Sequence, residues 1–315
     1  MKRLFIFVSA CLMLLCCAFA LAQTPQAQDN TDSLLWKISK NGETAGWLAG
    51  TLHAGKENRL PAGFQTALAA NRALVLETEA VSDDYYEKHP AELVEMFTLI
   101  WSDKTLAQHL GQEKAAALHK LIAESPLTRG SAFMLQPESR VQPWFAALMT
   151  GYLGIPQEYS EDFGVDILLA REAKQSGKPL YGLERNEAME MLAEIPVSTA
   201  RAMIDVALAH QAEINRFTEQ MLAAYECGDA AALLRLDKEM EDALMPFVPA
   251  AERVNVRRFE ELLVAQRNRN WLPGINRHLN EGGRLIAVGA QHLYGKDGLV
   301  SLLRGDGWTV EAVKQ

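Results

Sequence analysis

The tetrapeptide Gly-x-x-His occurs at both ends of this chain, as Gly50-Thr51-Leu52-His53 and as Gly289-Ala290-Gln291-His292. Each copy closes an apolar, strand-like run: Ala45-Gly46-Trp47-Leu48-Ala49 before the first and Leu285-Ile286-Ala287-Val288 before the second. Open α/β sheets build their sites where strands end. Glycine there lets the backbone turn or approach a ligand closely, and histidine brings a base or metal ligand near neutral pH. Two matching strand ends predict two edges of one site. The N- and C-terminal strands must then lie side by side in one sheet.

Around these runs the pattern predicts four more strands. Leu34–Ser39 alternates and is joined to Thr44–Thr51 by the hairpin signal Asn41-Gly42. Ala73-Leu74-Val75-Leu76 reads as a buried strand ending in Glu77-Thr78-Glu79, and Lys178–Leu183 as a short strand ending at Glu184. Trp308–Val313 alternates and reads as an edge strand. Between them the periodicity is helical, over about 82–160 and 187–281. Helices are expected over Gln136–Leu153, Phe163–Gln175, about Ala251–Asn270 continuing past Pro273 to Asn280, and Tyr294–Arg304. The fold class expected is α/β (α+β): a sheet of N- and C-terminal strands with large helical insertions, in a single domain over 33–315.

The first 22 residues have the form of a secretory signal. Lys2 and Arg3 precede the apolar Leu4–Leu15, and Ala20-Leu21-Ala22 is an A-x-A cleavage site. Residues 23–32 read as a disordered leader. An exported chain, periplasmic or secreted, follows, with no membrane insertion after cleavage because no later run reaches ~18 apolar residues. Of the 4 cysteines only Cys227 lies outside the signal, so the mature chain has no internal disulfide. The formal charge of −9 becomes −11 once Lys2 and Arg3 are removed, which argues against nucleic acid and anionic membrane as partners.

The strand ends carry the chemistry: His53, Glu77 with Glu79, Glu184 and His292. Two histidines and a carboxylate with an open position form a common metal-hydrolase set, and a second carboxylate can then act as general base. An extended backbone would turn Glu77 and Glu79 to one side. Each residue also has a plainer reading, a histidine as a packing residue and a strand-end glutamate as a solvated turn. On the long helix, Arg267-Asn268-Arg269-Asn270-Trp271 is either a solvated face or the source of an inward Arg267 or Asn268 that orients a carboxylate. No Gly-x-Ser-x-Gly elbow, His-Glu-x-x-His or phosphate loop is present.

Taken in order, five pieces resemble the TraB/PrgY/GumN family, which includes the Tiki metalloproteases. They are Trp47–His53, Leu74–Glu79, Phe163-Gly164-Val165-Asp166 through Gly182-Leu183-Glu184, Arg267-Asn268-x-x-Trp271, and Val288–Leu293. The resemblance implies an α/β core related to erythromycin-esterase and ChaN-like proteins. It implies a divalent metal, with manganese, cobalt or zinc as candidates, and peptide-bond hydrolysis as in the Tiki branch. Carried onto this chain, it gives His53, Glu77 and His292 as metal ligands. Glu79, Glu184, Arg267 and Asn268 become catalytic residues, with Gly50 and Gly289 as motif glycines. Glu79 departs from the family's more usual aspartate. Three readings follow: a metal-dependent hydrolase of peptides, a non-catalytic protein binding haem, a small ligand or a peptide, and a metal-independent esterase.

Overall fold

The computed structural model describes residues 30–82 and 84–314. The expected signal peptide, residues 23–29 of the leader, and Cys11, Cys16 and Cys17 lie outside the described residues. The end of the leader is packed rather than loose. Asn30 Nδ2 donates to Ser301 Oγ at 2.7 Å, and Arg304 Nη1 donates to Asn30 Oδ1.

Six strands form one mixed sheet: β1 (Leu35–Lys40), β2 (Glu43–Thr51), β3 (Ala73–Leu76), β4 (Leu180–Gly182), β5 (Arg284–Gly289) and β6 (Thr309–Ala312). Their order across the sheet is β4-β3-β5-β2-β1-β6. Asn41 and Gly42 both take positive φ (54° and 83°), as a two-residue hairpin turn between β1 and β2 requires. The β2, β5, β3 and β4 strands run parallel to one another, so their C-terminal ends share one edge. The central strands β3 and β5 are buried along nearly their whole length, as parallel strands covered on both faces must be. The expected juxtaposition of the chain ends is present. Gly50 pairs with Val288, Thr51 with Gly289, and Leu76 with Ala287.

Fourteen α-helices surround the sheet among the described residues. In chain order, α1 to α7 are Ala62–Ala70, Tyr85–Lys88, Pro90–Ile100, Leu106–Leu110, Gln112–Glu124, Pro143–Thr150 and Val165–Gln175. The α8 to α14 helices are Glu187–Ala193, Val197–Ala209, Gln211–Glu226, Ala230–Leu244, Arg253–Leu263, Ala265–Glu281 and Leu299–Gly305. Short 3-10 turns fill Glu79–Val81 and Ala290–Leu293.

Three helix expectations are corrected. The span Gln136–Leu153 begins as a helix only at Pro143, which takes the first-turn position where its missing N–H costs nothing. The span Tyr294–Arg304 is helical only from Leu299, because Gly295 holds a positive φ of 75° before it. The long helix does continue past Pro273, which sits inside α13, but it is not one helix. It breaks at Val264, whose φ and ψ of −121° and −72° end α12 and restart α13.

Two hydrophobic cores result. One lies on the sheet and includes Ile38, Leu48, Leu74, Val75, Leu285, Ile286 and Val300. The other lies among helices of both insertions and includes Met96, Leu118, Phe145, Leu148, Tyr152, Met189, Ile204 and Phe259. Ala54, beside His53, belongs to the second core, while Ala290, beside Gly289, belongs to the first. The edge of the sheet that carries the two motifs is therefore the seam between the cores.

Candidate functional site

The parallel register brings four strand ends to that seam. Glu77 follows β3, and its carboxylate is 1 % exposed. Its Oε1 accepts from the Gly289 amide at 2.7 Å, so the residue after β3 is tied to the last residue of β5. Its Oε2 accepts from Arg267 Nη2 at 2.5 Å. Glu184 follows β4 and lies on the other side of the same guanidinium. Its Oε1 accepts from Arg267 Nε at 2.9 Å and Nη2 at 2.5 Å, and its Oε2 from Trp271 Nε1 at 2.9 Å. The planar fork of Arg267 holds two buried carboxylates that would otherwise repel. Arg267 can reach inward because the chain restarts its helix at Val264, one turn before it.

The tautomer of His292 follows from Asn268. Asn268 is fully buried, and its Nδ2 donates to the carbonyls of His292 (3.0 Å) and Asp297 (2.9 Å). The remaining amide oxygen must then be the group facing His292 Nδ1, at 2.7 Å. An oxygen there accepts, so His292 carries its proton on Nδ1 and leaves a lone pair on Nε2. That Nε2 lies 3.7 Å from Glu77 Oε1.

His53 is held from the other side. Val165 N–H donates to the Leu52 carbonyl at 2.7 Å, seating the first motif against the start of α7. Gly164 permits this approach, since a Cβ there would lie 2.7 Å from the His53 carbonyl oxygen. Asp166 Oδ2 then stands 3.1 Å from His53 Nδ1, close but not aligned as a full hydrogen bond, so the attraction is chiefly Coulombic. His53 Nε2 is buried with no hydrogen-bond partner.

These environments push the ionisable groups apart. Burial alone would raise the Glu77 carboxyl, but Arg267, His292, His53 and the Gly289 amide outweigh it and bring it down to about 2. Burial lowers His292 to about 3, against the pull of Glu77, so the imidazole stays neutral. Burial works against protonated His53 as well, but Asp166 more than offsets it and the pKa is raised. Glu184 is raised by burial despite Arg267. One edge thus holds a fixed anion, a neutral imidazole and two groups that retain protons more readily. Split pKa values of this kind are what acid–base chemistry uses.

Gly289 marks where these groups converge. A Cβ on it would stand 3.3 Å from Glu77 Oε1, 3.4 Å from His53 Nε2 and 3.6 Å from His292 Cδ2. The hydrogen in its place leaves that point open. By type and orientation the donors fit a divalent metal. Each imidazole is approached at Nδ1 by an outer oxygen, the arrangement that presents Nε2 as ligand. The orphaned His53 Nε2 is such an end. Yet among the described residues no three His, Cys, Asp or Glu side chains stand ready-made as a metal cage. The cation that Glu77 meets in this structure is Arg267.

Of the residues expected from the sequence, His53, Glu77, Glu184, Arg267, Asn268 and His292 come together at this edge. Gly289 faces them. Gly50 does not; a Cβ on it would lie 3.0 Å from Ala290 Cα, so it serves the packing of the first motif on the second. Glu79 also stands apart. The strand ends at Leu76 and Glu79 opens a 3-10 turn, so it does not share a side with Glu77. Its Oε1 instead accepts from the Gly182 amide at 3.2 Å, pinning β4. Asp166 and Trp271 lay within the quoted motifs but had no assigned role. An acid in the first turn after Gly164, and an indole one helical turn after Arg267, were the available signals.

With this sheet and this paired-histidine edge, the chain belongs to the TraB/PrgY/gumN family, whose profile matches residues 34–312. It is similar to uncharacterized protein YbaP of Shigella flexneri, 27% identical over 271 residues that cover 85% of this chain and 90% of that protein. It is also 27% identical, over 261 residues, to uncharacterized protein YbaP of Escherichia coli (strain K12), covering 82% of this chain and 87% of that one. No solved structure matches the chain significantly.

Proposed function

We propose that this chain is an exported hydrolase whose reacting centre is the seam edge of His53, Glu77 and His292, and that its substrates contain an amide bond, as in peptides. The observation that carries the reading is the convergence at Gly289, where a carboxylate oxygen and two imidazoles from three separate strand ends surround one open point. The resemblance of the motifs to the Tiki branch supports a peptide as substrate class, and the signal-like first 22 residues support export. His53 Nε2, His292 Nε2 and Glu77 Oε1 would hold a divalent metal, with manganese, cobalt and zinc as candidates. When bound, such an ion polarises a carbonyl and acidifies water. The protein's own groups do the rest. Arg267 keeps Glu77 ionised and orients both carboxylates. Asn268 fixes the His292 tautomer, and Asp166 raises the basicity of His53. Glu184, raised by burial, is the group suited to hold and return a proton.

His53→Ala and His292→Ala should each abolish stoichiometric manganese or cobalt uptake and peptide cleavage, while circular dichroism stays that of the parent. A His53→Ala protein that still takes up one ion per chain and still cleaves would sink the reading. A second reading has its own observation, the Asp166–His53 pair, which orients an imidazole as a general base. In that case the chain would be an esterase needing no metal, and hydrolysis would persist in excess chelator.

A further inference from the structure

The first motif is gripped by one helix of the second insertion. Tyr225, near the C-terminus of α10, donates its phenol O–H to the Gly50 carbonyl at 2.8 Å. One hydroxyl therefore closes the open carbonyl of the turn that leads from β2 to His53. The next residue, Glu226, reaches the far side of the loop and accepts from Lys56 Nζ at 3.1–3.2 Å and from Tyr159 at 2.6 Å. Consecutive residues of α10 thus hold positions 50 and 56, with His53 between them. The remaining braces come from elsewhere: Gly50 N–H reaches Leu34, and the Leu52 carbonyl accepts from Val165.

We propose that Tyr225 is a positioning residue for His53: its phenol holds the Gly50 carbonyl, and with it the turn into the first motif, and so sets the direction in which His53 Nε2 faces Glu77 and Gly289. The inference rests on His53 acting as a functional group at this edge. Two features give it force. The phenol is buried, and Gly50, whose carbonyl it satisfies, is buried with it, so no water can readily replace it. And groups that orient a ligand from behind alter metal affinity ~10–100-fold when removed.

The test compares two tyrosine-to-phenylalanine variants that each lose one buried hydroxyl. Tyr225→Phe removes the hydroxyl that holds the turn. Tyr294→Phe removes a nearby phenol whose oxygen has no partner. Cobalt(II) is titrated into the full mature chain by calorimetry, with its visible absorption recorded, and backbone amide exchange is followed by mass spectrometry. Tyr225→Phe should weaken cobalt binding ~10–100-fold, change the intensity of its visible band and speed exchange at Leu52 and His53, but not at Ile286 in β5. Tyr294→Phe should leave all three unchanged. Equal cobalt affinity and spectrum in Tyr225→Phe and the parent would overturn the proposal, as would equal losses in both variants. If the parent itself takes up no cobalt, the metal reading fails. The exchange rates of Leu52 and His53 then decide alone whether the phenol sets the His53 turn, and unchanged rates in Tyr225→Phe overturn it.

Discussion

Alanine placed at Gly50 and at Gly289 should give two different failures, although the two glycines begin the same tetrapeptide. Neither has a positive φ, so the difference lies in what a methyl group would meet. At Gly50 it meets the Ala290 Cα at 3.0 Å and the Leu293 side chain at 3.3 Å. Backbone cannot step aside cheaply in a packed seam, so Gly50→Ala should lower the unfolding free energy by ~1–3 kcal/mol. Urea denaturation reads this directly. At Gly289 the methyl meets only the tips of Glu77 and His53 and the edge of His292. The fold should survive with a change below ~1 kcal/mol, while metal uptake and hydrolysis fall at least ~10-fold. If Gly289→Ala instead retains full activity, the convergence point is not where chemistry occurs.

The six strands could be read from the sequence because each is a short apolar run with a turn signal or an ionisable end. The hairpin at Asn41-Gly42 and the buried runs at 73–76 and 284–289 lie within two residues of their expected bounds. The α12–α13 break could not be read that way. Nothing in the local pattern marks Val264, whereas Pro273 is a strong breaker, yet tertiary packing of Arg267, Asn268 and Trp271 on the seam overrides it. For the same reason Glu79 misled. Two residues beyond Glu77 it would face the same way only if the strand continued, and the strand stops at Leu76. The α13 helix also supplies a sharp element-level test, because the Asn268 side chain joins it to His292 through two hydrogen bonds and to the Asp297 carbonyl through a third. Asn268→Asp keeps the shape, removes two donors and sets a carboxylate against two carbonyls. It should cost ~2–4 kcal/mol in urea denaturation. It should also raise the pH at which His292 gains a proton, followed by the ring-carbon resonance in NMR. A variant as stable as the parent would mean that the amide is not the junction's anchor.

Across the whole molecule, the charged groups that matter for stability are divided between the seam and the insertion helices. At the seam, Glu77 is the group that loses stability in acid. Glu77 folds with its carboxyl at about 2, below its ordinary value, so its contribution is present above pH ~4.5 and is lost as pH falls toward 2. The insertion works the other way. On α11, Asp237 is buried against Glu241 and reached by Gln291 Nε2 at 3.3 Å, with Glu260 of α12 near both and Arg257 bonded to Glu241. Burial first, then Glu241, pushes Asp237 up to about 8. A carboxyl whose folded value is raised holds its proton in the folded state while the unfolded chain has released it. Stability therefore falls as pH rises from near 4 and levels off only above pH ~8. Replacing the group with its neutral isostere removes that loss. Asp237→Asn should unfold at nearly the same urea concentration as the parent at pH 4 and at a clearly higher one at pH 8. The gap has an upper bound of roughly 5 kcal/mol, since each pKa unit is worth about 1.4 kcal/mol. A gap independent of pH, or largest at pH 4, would show that the three carboxylates of the insertion do not share a water-poor, buried environment.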